Sequence, residues 1–255
     1  EVIALEPSYD YYAGAVAMAG GVFKQVRLHE PAYAVDLDEL AAAITPRTRL
    51  VIVNSPHNPT GHVLSLEELQ GIADLAIEHD LIVLTDEVYE HMVFENHRHV
   101  PIATLPGMFD RTVTISSAGK TFSVTGWKIG WLSAPAVFID AIHTTKQNMT
   151  YANGTPSQHG VVAGLGLPRE RIEAIGTGYQ ELRDILGTGL ARAGFEVHPV
   201  GGTFFMMADI SPLGFDGDGY EFCRRLPEAC GVAAVPAQVF YDDPSSAANL
   251  IRFCF

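Results

Sequence analysis

The 255-residue chain has few cysteines and no long apolar segment. Its three cysteines include no Cys-x-x-Cys spacing, so they indicate neither a disulfide framework nor a zinc site. A reducing, cytoplasmic environment is therefore the expectation. Apolar runs such as residues 50–53 and 81–84 are far shorter than the roughly 20 residues of a membrane-spanning helix. We expect no metal site and no membrane-spanning segment.

Basic residues are also scarce, 16 against 30 acidic ones, which gives a net charge of -14. A negatively charged surface repels phosphodiester backbones and anionic membrane surfaces. We therefore expect neither a nucleic-acid nor a membrane partner. Hydrophobic residues still make up 47% of the chain, which is enough to bury a substantial core.

Short aliphatic strands alternate with helical segments in the first part of the chain. Strands are predicted at residues 49–54, 81–85 and 111–115, and residues 128–133 form a hairpin partner or neighbour of the last strand. Ser65 and Glu68 have the spacing of a capping box and begin a helix whose apolar stripe is Leu66, Leu69, Ile72, Ala73, Ala76 and Ile77. This alternation predicts an α/β fold with a mostly parallel central sheet flanked by helices.

The pattern changes after about residue 165. A long helix is predicted at residues 169–193 and a short one at 220–226, with strands at 195–200, 203–210, 232–236 and 250–255. We therefore predict a large domain over residues 1–164 and a smaller C-terminal α/β domain over residues 165–255. Because the chain opens and stops inside predicted strands, we expect residues to be missing at both ends.

Polar residues follow three of the predicted strands, namely Asn58, Asp86 and Lys120. In an open α/β sheet, ligands bind outside the carboxyl ends of the strands because the loops converge there. The topology therefore predicts that these three residues meet at one edge of the sheet.

Four polar motifs occur in order along the chain. They are Asn54-Ser-Pro-His-Asn-Pro-Thr-Gly61, Thr85-Asp-Glu-Val-Tyr89, Ser116-Ser-Ala-Gly-Lys-Thr-Phe122 with Thr125-Gly-Trp-Lys-Ile-Gly130, and Ile251-Arg-Phe253. In this order they resemble the class I and II aminotransferases of pyridoxal-5'-phosphate (PLP) fold type I. The branch of kynurenine and actinobacterial N-succinyldiaminopimelate aminotransferases is the most similar. The resemblance covers essentially the whole chain and implies a homodimer with its active site at the subunit interface.

The resemblance implies that Lys120 forms a Schiff base with PLP and later moves the substrate proton. Asp86, at the end of an apolar run, is then the carboxylate that keeps the pyridine nitrogen protonated, and the adjacent Glu87 is expected to point elsewhere. The ordinary alternatives are a solvated surface lysine and an aspartate that caps a helix.

Three further residues are matched to the cofactor ring by the resemblance. Tyr89 and Asn58 are expected to hydrogen-bond the phenolic oxygen of PLP, and Tyr9 is expected to stack on the pyridine face. The alternatives are a core tyrosine, a turn asparagine before Pro59 and an ordinary packing tyrosine.

Ser117 and Lys128 match the phosphate contacts of the family, although many relatives carry arginine where Lys128 stands. The family also uses an upstream phosphate-binding loop and a tyrosine from the partner subunit, and this chain contains neither. Arg252, together with Asn58, is matched to the substrate carboxylate, which a bidentate arginine clamps. The alternative for Arg252 is an edge-strand residue that faces water.

The implied function is transamination between an amino acid and a 2-oxo acid, with glutamate and 2-oxoglutarate as the expected pair. The other amino-acid substrate implied by the resemblance is N-succinyl-LL-diaminopimelate or an aromatic, kynurenine-type compound. C–S β-elimination from cysteine conjugates uses the same motifs and stays open. A PLP-sensing domain of a transcription regulator is a third reading, which the acidic charge disfavours.

Overall fold

The computed structural model describes residues 1–255 and contains two β-sheets. The strands of the larger sheet are β1 (Val2–Glu6), β2 (Phe23–Arg27), β3 (Leu50–Asn54), β4 (Ile82–Asp86), β5 (Thr112–Ser117) and β6 (Gly130–Ser133). They lie in the order β2-β1-β3-β4-β5-β6, and all neighbours are parallel except β6, which is antiparallel to β5. The predicted α/β fold with a mostly parallel central sheet is confirmed.

The smaller sheet contains β7 (Glu196–Val197), β8 (Phe205–Asp209), β9 (Val235–Pro236) and β10 (Leu250–Cys254). The order is β7-β8-β10-β9, and all pairs are antiparallel. Because β10 lies between two strands, Arg252 is not on an edge strand.

Eight α-helices connect and flank these sheets. They are α1 (Tyr11–Met18), α2 (Leu37–Ala43), α3 (Leu66–Glu78), α4 (Ala118–Thr121), α5 (Ala136–Met149), α6 (Thr155–Leu165), α7 (Arg169–Arg192) and α8 (Gly219–Cys230). Helix α3 begins with the predicted capping box, in which Ser65 and Glu68 bond to each other's backbone amides at 3.1 and 2.6 Å. None of the helices combines the length and apolar character that a membrane crossing requires.

Three boundaries in the C-terminal part differ clearly from the predictions, and one of them is the strand expected at residues 232–236, which is reduced to Val235–Pro236. The strand expected at residues 195–200 is reduced to Glu196–Val197, because Pro199 has no amide hydrogen and the chain then turns to bond with Gly61. The helix expected at residues 220–226 begins at Gly219, after the capping residue Asp218, and continues past Pro227 to Cys230. The sequence patterns did not predict α1, β2, α2, α4, α5 or α6.

The two sheets share one hydrophobic core. Its 24 buried residues include Ile3 and Val83 from the large sheet and Met207, Phe240 and Leu250 from the C-terminal part of the chain. A parallel sheet is covered on both faces, so its strands are hydrophobic on both sides. The aliphatic runs of β3 and β4 agree with this. The division into residues 1–164 and 165–255 stays a prediction.

Gly61 fixes the loop after β3 against the smaller sheet. Its carbonyl accepts hydrogen bonds from Gly201 and Gly202, both at 2.9 Å, and its φ is +75°. A Cβ atom on Gly61 would lie 2.8 Å from a Val200 methyl group and 3.1 Å from the Gly202 carbonyl. Only glycine therefore fits this conformation and this close contact.

We predict that Gly61→Ala lowers the free energy of unfolding more than Gly214→Ala. Gly214 also has a left-handed φ, +64°, but no neighbouring atom lies within 4 Å of the position that a Cβ would take there. The control should lose about 1 kcal/mol from backbone strain alone. The Gly61 variant should lose roughly 1–3 kcal/mol more from overpacking. Urea unfolding of both variants measures the difference, and equal losses would contradict the contact between loop and sheet.

Candidate active site

The carboxyl ends of the parallel strands bring the predicted residues together. Asn54 pairs in register with Asp86, and Asp86 pairs with Ile115 on β5. One cavity of about 250 Å³ lies at this edge and is lined by Tyr9, Tyr12, Asn54, Asn58, Asp86, Val88, Tyr89, Ser117, Lys120, Phe205 and Arg252. Every predicted site residue except Lys128 lines it.

Larger hollows exist elsewhere on the protein, with volumes of about 530 and 800 Å³. Neither contains Lys120, Asp86 or Arg252. The 250 Å³ cavity is the better candidate because it gathers a lysine, a buried carboxylate and an arginine from distant parts of the chain.

Lys120 lies on the short helix α4, directly after β5. Its Nζ atom has no hydrogen-bond or ion-pair partner and lies 4.8 Å from the ring centre of Phe204 and 5.4 Å from that of Tyr89. Burial lowers the pKa of Lys120, and the nearby Arg252 guanidinium adds to this effect. A lower pKa increases the share of neutral amine, which is the form that adds to a carbonyl carbon.

Asp86 lies at the end of β4 and is 8% exposed. The hydroxyl of Tyr12 donates a hydrogen bond to Asp86 Oδ2 at 2.7 Å, and the Val88 amide donates a longer one to Oδ1 at 3.4 Å. Burial raises the pKa of Asp86, while these two hydrogen bonds lower it. The site thus contains a carboxylate that is buried but has donors to stabilise its ionised form.

Four residues that line the cavity were not among the predicted site residues, namely Tyr12, Asn54, Val88 and Phe205. Tyr12 is in the first turn of α1, and its amide donates to the carbonyl of Tyr9, which precedes the helix, at 3.1 Å. The rings of the two tyrosines are in edge contact, with centres 5.5 Å apart. Recognition of α1 would have drawn attention to this pair.

Glu87 points away from the cavity, as expected. Its carboxylate accepts hydrogen bonds from Thr85 Oγ1 at 3.1 Å and from His99 Nε2 at 2.9 Å, and the side chain is 1% exposed. The two adjacent carboxylates therefore have separate partners on opposite sides of the strand.

Arg252 and Asn58 are joined across the two sheets. Arg252 Nη1 donates to Asn58 Oδ1 at 2.9 Å, and the guanidinium lies over the rings of Phe205 and Phe240, 4.1 and 4.7 Å from their centres. Burial lowers the pKa of Arg252, and its Nε atom is buried without a partner. Since Asn58 uses its oxygen for Arg252, its amide nitrogen is left as a donor.

The backbone of Asn58 is also fixed. Its amide donates to Asn54 Oδ1 at 2.8 Å, and Asn54 Nδ2 donates to the Asp86 carbonyl at 2.8 Å. One buried asparagine side chain therefore links the loop after β3 to the end of β4.

The two predicted phosphate ligands differ in their positions. Ser117 lines the cavity, and its hydroxyl caps α4 by accepting a hydrogen bond from the Gly119 amide at 3.1 Å. Lys128 has an exposed side chain and a left-handed φ of +55°, and it does not line the cavity. A phosphate role for Lys128 stays a prediction.

Comparisons with known proteins find one group of similar proteins. A family model described as aminotransferase class I and II matches residues 1–255. A probable N-succinyldiaminopimelate aminotransferase of Mycobacterium tuberculosis is 46% identical and covers 100% of this chain and 66% of that protein. The kynurenine–oxoglutarate transaminase of Dictyostelium discoideum is 39% identical, with 100% of this chain and 67% of that protein covered.

Solved structures give the same result. N-succinyldiaminopimelate aminotransferase from Mycobacterium tuberculosis superposes with a TM-score of 0.96 at 47% identity, over 100% of this chain and 66% of that chain. A methionine aminotransferase from Escherichia coli gives 0.94 at 39% identity, over 100% and 67%. The chain thus spans about two thirds of the length of the relatives it matches.

Proposed function

The chain belongs to the class I and II aminotransferases, a PLP-dependent family, and we propose that it transfers the amino group of an amino acid to a 2-oxo acid. The observation that carries this proposal is the convergence of the unpartnered Lys120 amine and the buried Asp86 carboxylate in one cavity. The named relatives are transaminases, which favours transamination over C–S β-elimination.

The donors and acceptors of the cavity suit PLP. PLP has an aldehyde, a basic ring nitrogen and a phenolic oxygen. Lys120 Nζ has no partner within the protein, Asp86 supplies a buried carboxylate, and the Asn58 amide nitrogen and Tyr89 hydroxyl are donors at the same cavity. When bound, PLP would supply the electron sink for deprotonation at the substrate Cα.

We assign the following roles to the residues of this chain. Lys120 would hold the aldehyde carbon and, once released, move the proton at the substrate Cα. Asp86 would keep the ring nitrogen protonated, while Tyr89 and Asn58 donate to the phenolic oxygen. Tyr9, 36% exposed at the cavity mouth, would cover the ring face, and Ser117 and Lys128 would contact the phosphate.

Arg252 would bind the α-carboxylate of the substrate. The rings of Phe205 and Phe240 hold its guanidinium plane, and only Nη1 is engaged by Asn58. A planar guanidinium with free N–H groups binds a carboxylate through two parallel hydrogen bonds. This contact would orient the Cα–H bond for removal by Lys120.

We further propose glutamate and 2-oxoglutarate as one substrate pair, with N-succinyl-LL-diaminopimelate or a kynurenine-type compound as the other amino acid. The names of the relatives support this choice. We also propose a cytoplasmic homodimer. Helix α5 supports the homodimer only, because the helix buries none of its residues and exposes Val137 and Met149, each by 69%.

The function is tested by a half-reaction. The full-length protein loaded with PLP should release one equivalent of 2-oxoglutarate per site from glutamate and then stop, since the amino group has no acceptor. Adding a second 2-oxo acid should restart turnover, and N-succinyl-LL-diaminopimelate and kynurenine are compared as donors. Lys120→Ala should abolish the release.

Lys24→Ala is the matched control for this variant. Lys24 lies on β2, outside the cavity, and its side chain pairs with Glu1 at 3.0 Å, so its loss should leave the release unchanged. Failure of the unaltered protein to release 2-oxoglutarate would contradict transamination. Faster release of pyruvate from a cysteine conjugate would identify elimination as the main reaction.

We predict that Arg252→Lys raises the KM for the amino acid by roughly tenfold or more. Lysine keeps the charge but cannot form two parallel hydrogen bonds to a carboxylate. The control substrate is the corresponding amine without its α-carboxylate, whose kcat/KM should change much less. If both compounds lost the same factor, Arg252 would not bind the carboxylate.

A further inference from the structure

The carboxylate of Asp86 has one short hydrogen bond, and it comes from Tyr12. The phenol hydroxyl donates to Oδ2 at 2.7 Å, whereas the Val88 amide is 3.4 Å from Oδ1. Charge-assisted bonds of this length are about twice as strong as neutral ones. Tyr12 therefore holds one oxygen of Asp86 and leaves the other largely free to accept.

The position of Tyr12 is itself fixed by packing. Its ring is packed against the small hydrophobic cluster of Ala4, Val16 and Ile52, and it makes edge contact with the Tyr9 ring. Helix α1 follows β1, which β3 separates from β4 in the sheet, and the Tyr12 hydroxyl bonds to Asp86 at the end of β4. The hydrogen bond thus joins two residues that are 74 positions apart in the sequence.

We propose that Tyr12 is a positioning residue that fixes the orientation of Asp86 and favours its ionised form, so that Asp86 can bind a protonated ring nitrogen. This inference rests on the proposed function, because the ring nitrogen belongs to PLP.

The surroundings of Asp86 favour its neutral form, and the hydrogen bond from Tyr12 opposes them. Burial raises the pKa of Asp86 most strongly, and the adjacent Glu87 carboxylate raises it further. Tyr12 is the strongest of the groups that lower this pKa, ahead of the Val88 amide and Lys120. The other titratable groups that face Asp86 are the phenols of Tyr9 and Tyr89.

Tyr12 remains a donor over the working range of pH. Burial, and then the charge of Asp86, raise the pKa of Tyr12 well above its ordinary value. The proton therefore stays on the phenol, and Asp86 is the member of the pair that changes its charge. Without the hydroxyl, the pKa of Asp86 would be higher, and Asp86 would become neutral at a higher pH.

Tyr12→Phe tests the inference because it removes the hydroxyl and keeps the ring. The readout is the equilibrium binding of PLP to the full-length apoprotein, followed by absorbance across a range of pH. The variant should bind PLP roughly tenfold more weakly near neutral pH, the cost of one hydrogen bond to a charged group. The acidic limb of its binding curve should also move to higher pH.

Tyr33→Phe is the matched control. Tyr33 is fully buried, and its hydroxyl bonds to His198 Nδ1 at 2.8 Å, outside the cavity. It should lower thermal stability without moving the pH dependence of PLP binding. A merely structural role for Tyr12 would give the same result, with stability lowered and the pH dependence unchanged, and would overturn the inference.

Replacement of Tyr12 by 3-fluorotyrosine gives a second probe that keeps both ring and hydroxyl. The more acidic hydroxyl is a stronger donor, so the acidic limb should move to lower pH, opposite to Tyr12→Phe. An unchanged or oppositely moved limb would overturn the inference. If the unaltered protein did not bind PLP, the proposed function itself would be wrong. If the unaltered protein bound PLP but the Tyr12 variants did not move the acidic limb, only the inference about Tyr12 would be wrong.

Discussion

The parallel alignment of β3, β4 and β5 is the constraint on which the site depends. Asn54, Asp86 and Ile115 lie level across the sheet, so the residues that follow each strand enter the same space. The Asn54 side chain strengthens this alignment because it bonds both to the Asp86 carbonyl and to the Asn58 amide. No single segment of the chain contains all the side chains of the site. The register of β3, β4 and β5 is therefore what brings these side chains together.

The smaller sheet completes the cavity, because it contributes the partly buried, charged side chain of Arg252 to the lining. Arg252 comes from an interior strand, and two aromatic rings and the Asn58 oxygen replace part of its hydration. Its buried, unpartnered Nε shows that the compensation is incomplete. Lys120 is likewise held near rings and without a counter-ion. Such uncompensated polar groups are typical of sites that gain partners when a ligand binds.

The sequence allowed prediction of the residues that follow strongly apolar strands. Asp86 and Lys120 could be placed because runs such as residues 81–84 are hydrophobic enough to identify a buried strand. Tyr12 could not, because the apolar residues of α1 surround the helix and form no stripe that periodicity would detect. The hydrogen bond from Tyr12 to Asp86 spans 74 residues, and such a pairing depends on tertiary packing.

The position of Lys128 shows a different limit. Motif order predicts a phosphate ligand, but it did not predict the left-handed backbone or the exposed side chain, and the phosphate role stays a prediction. The short strand β7 shows the same limit, since the contact with Gly61 overrides the local strand pattern. Local patterns do not contain these long-range contacts.

The central claim is that one amine of this chain bonds to PLP. The 255 residues include only four lysines, Lys24, Lys120, Lys128 and Lys146, so a labelled peptide from this chain identifies the bonded residue. The direct measurement is borohydride reduction of the PLP-loaded full-length protein, followed by mass spectrometry of its peptides. The account predicts a stoichiometric pyridoxyl label on Lys120, and a label on another lysine, or on none, would contradict it.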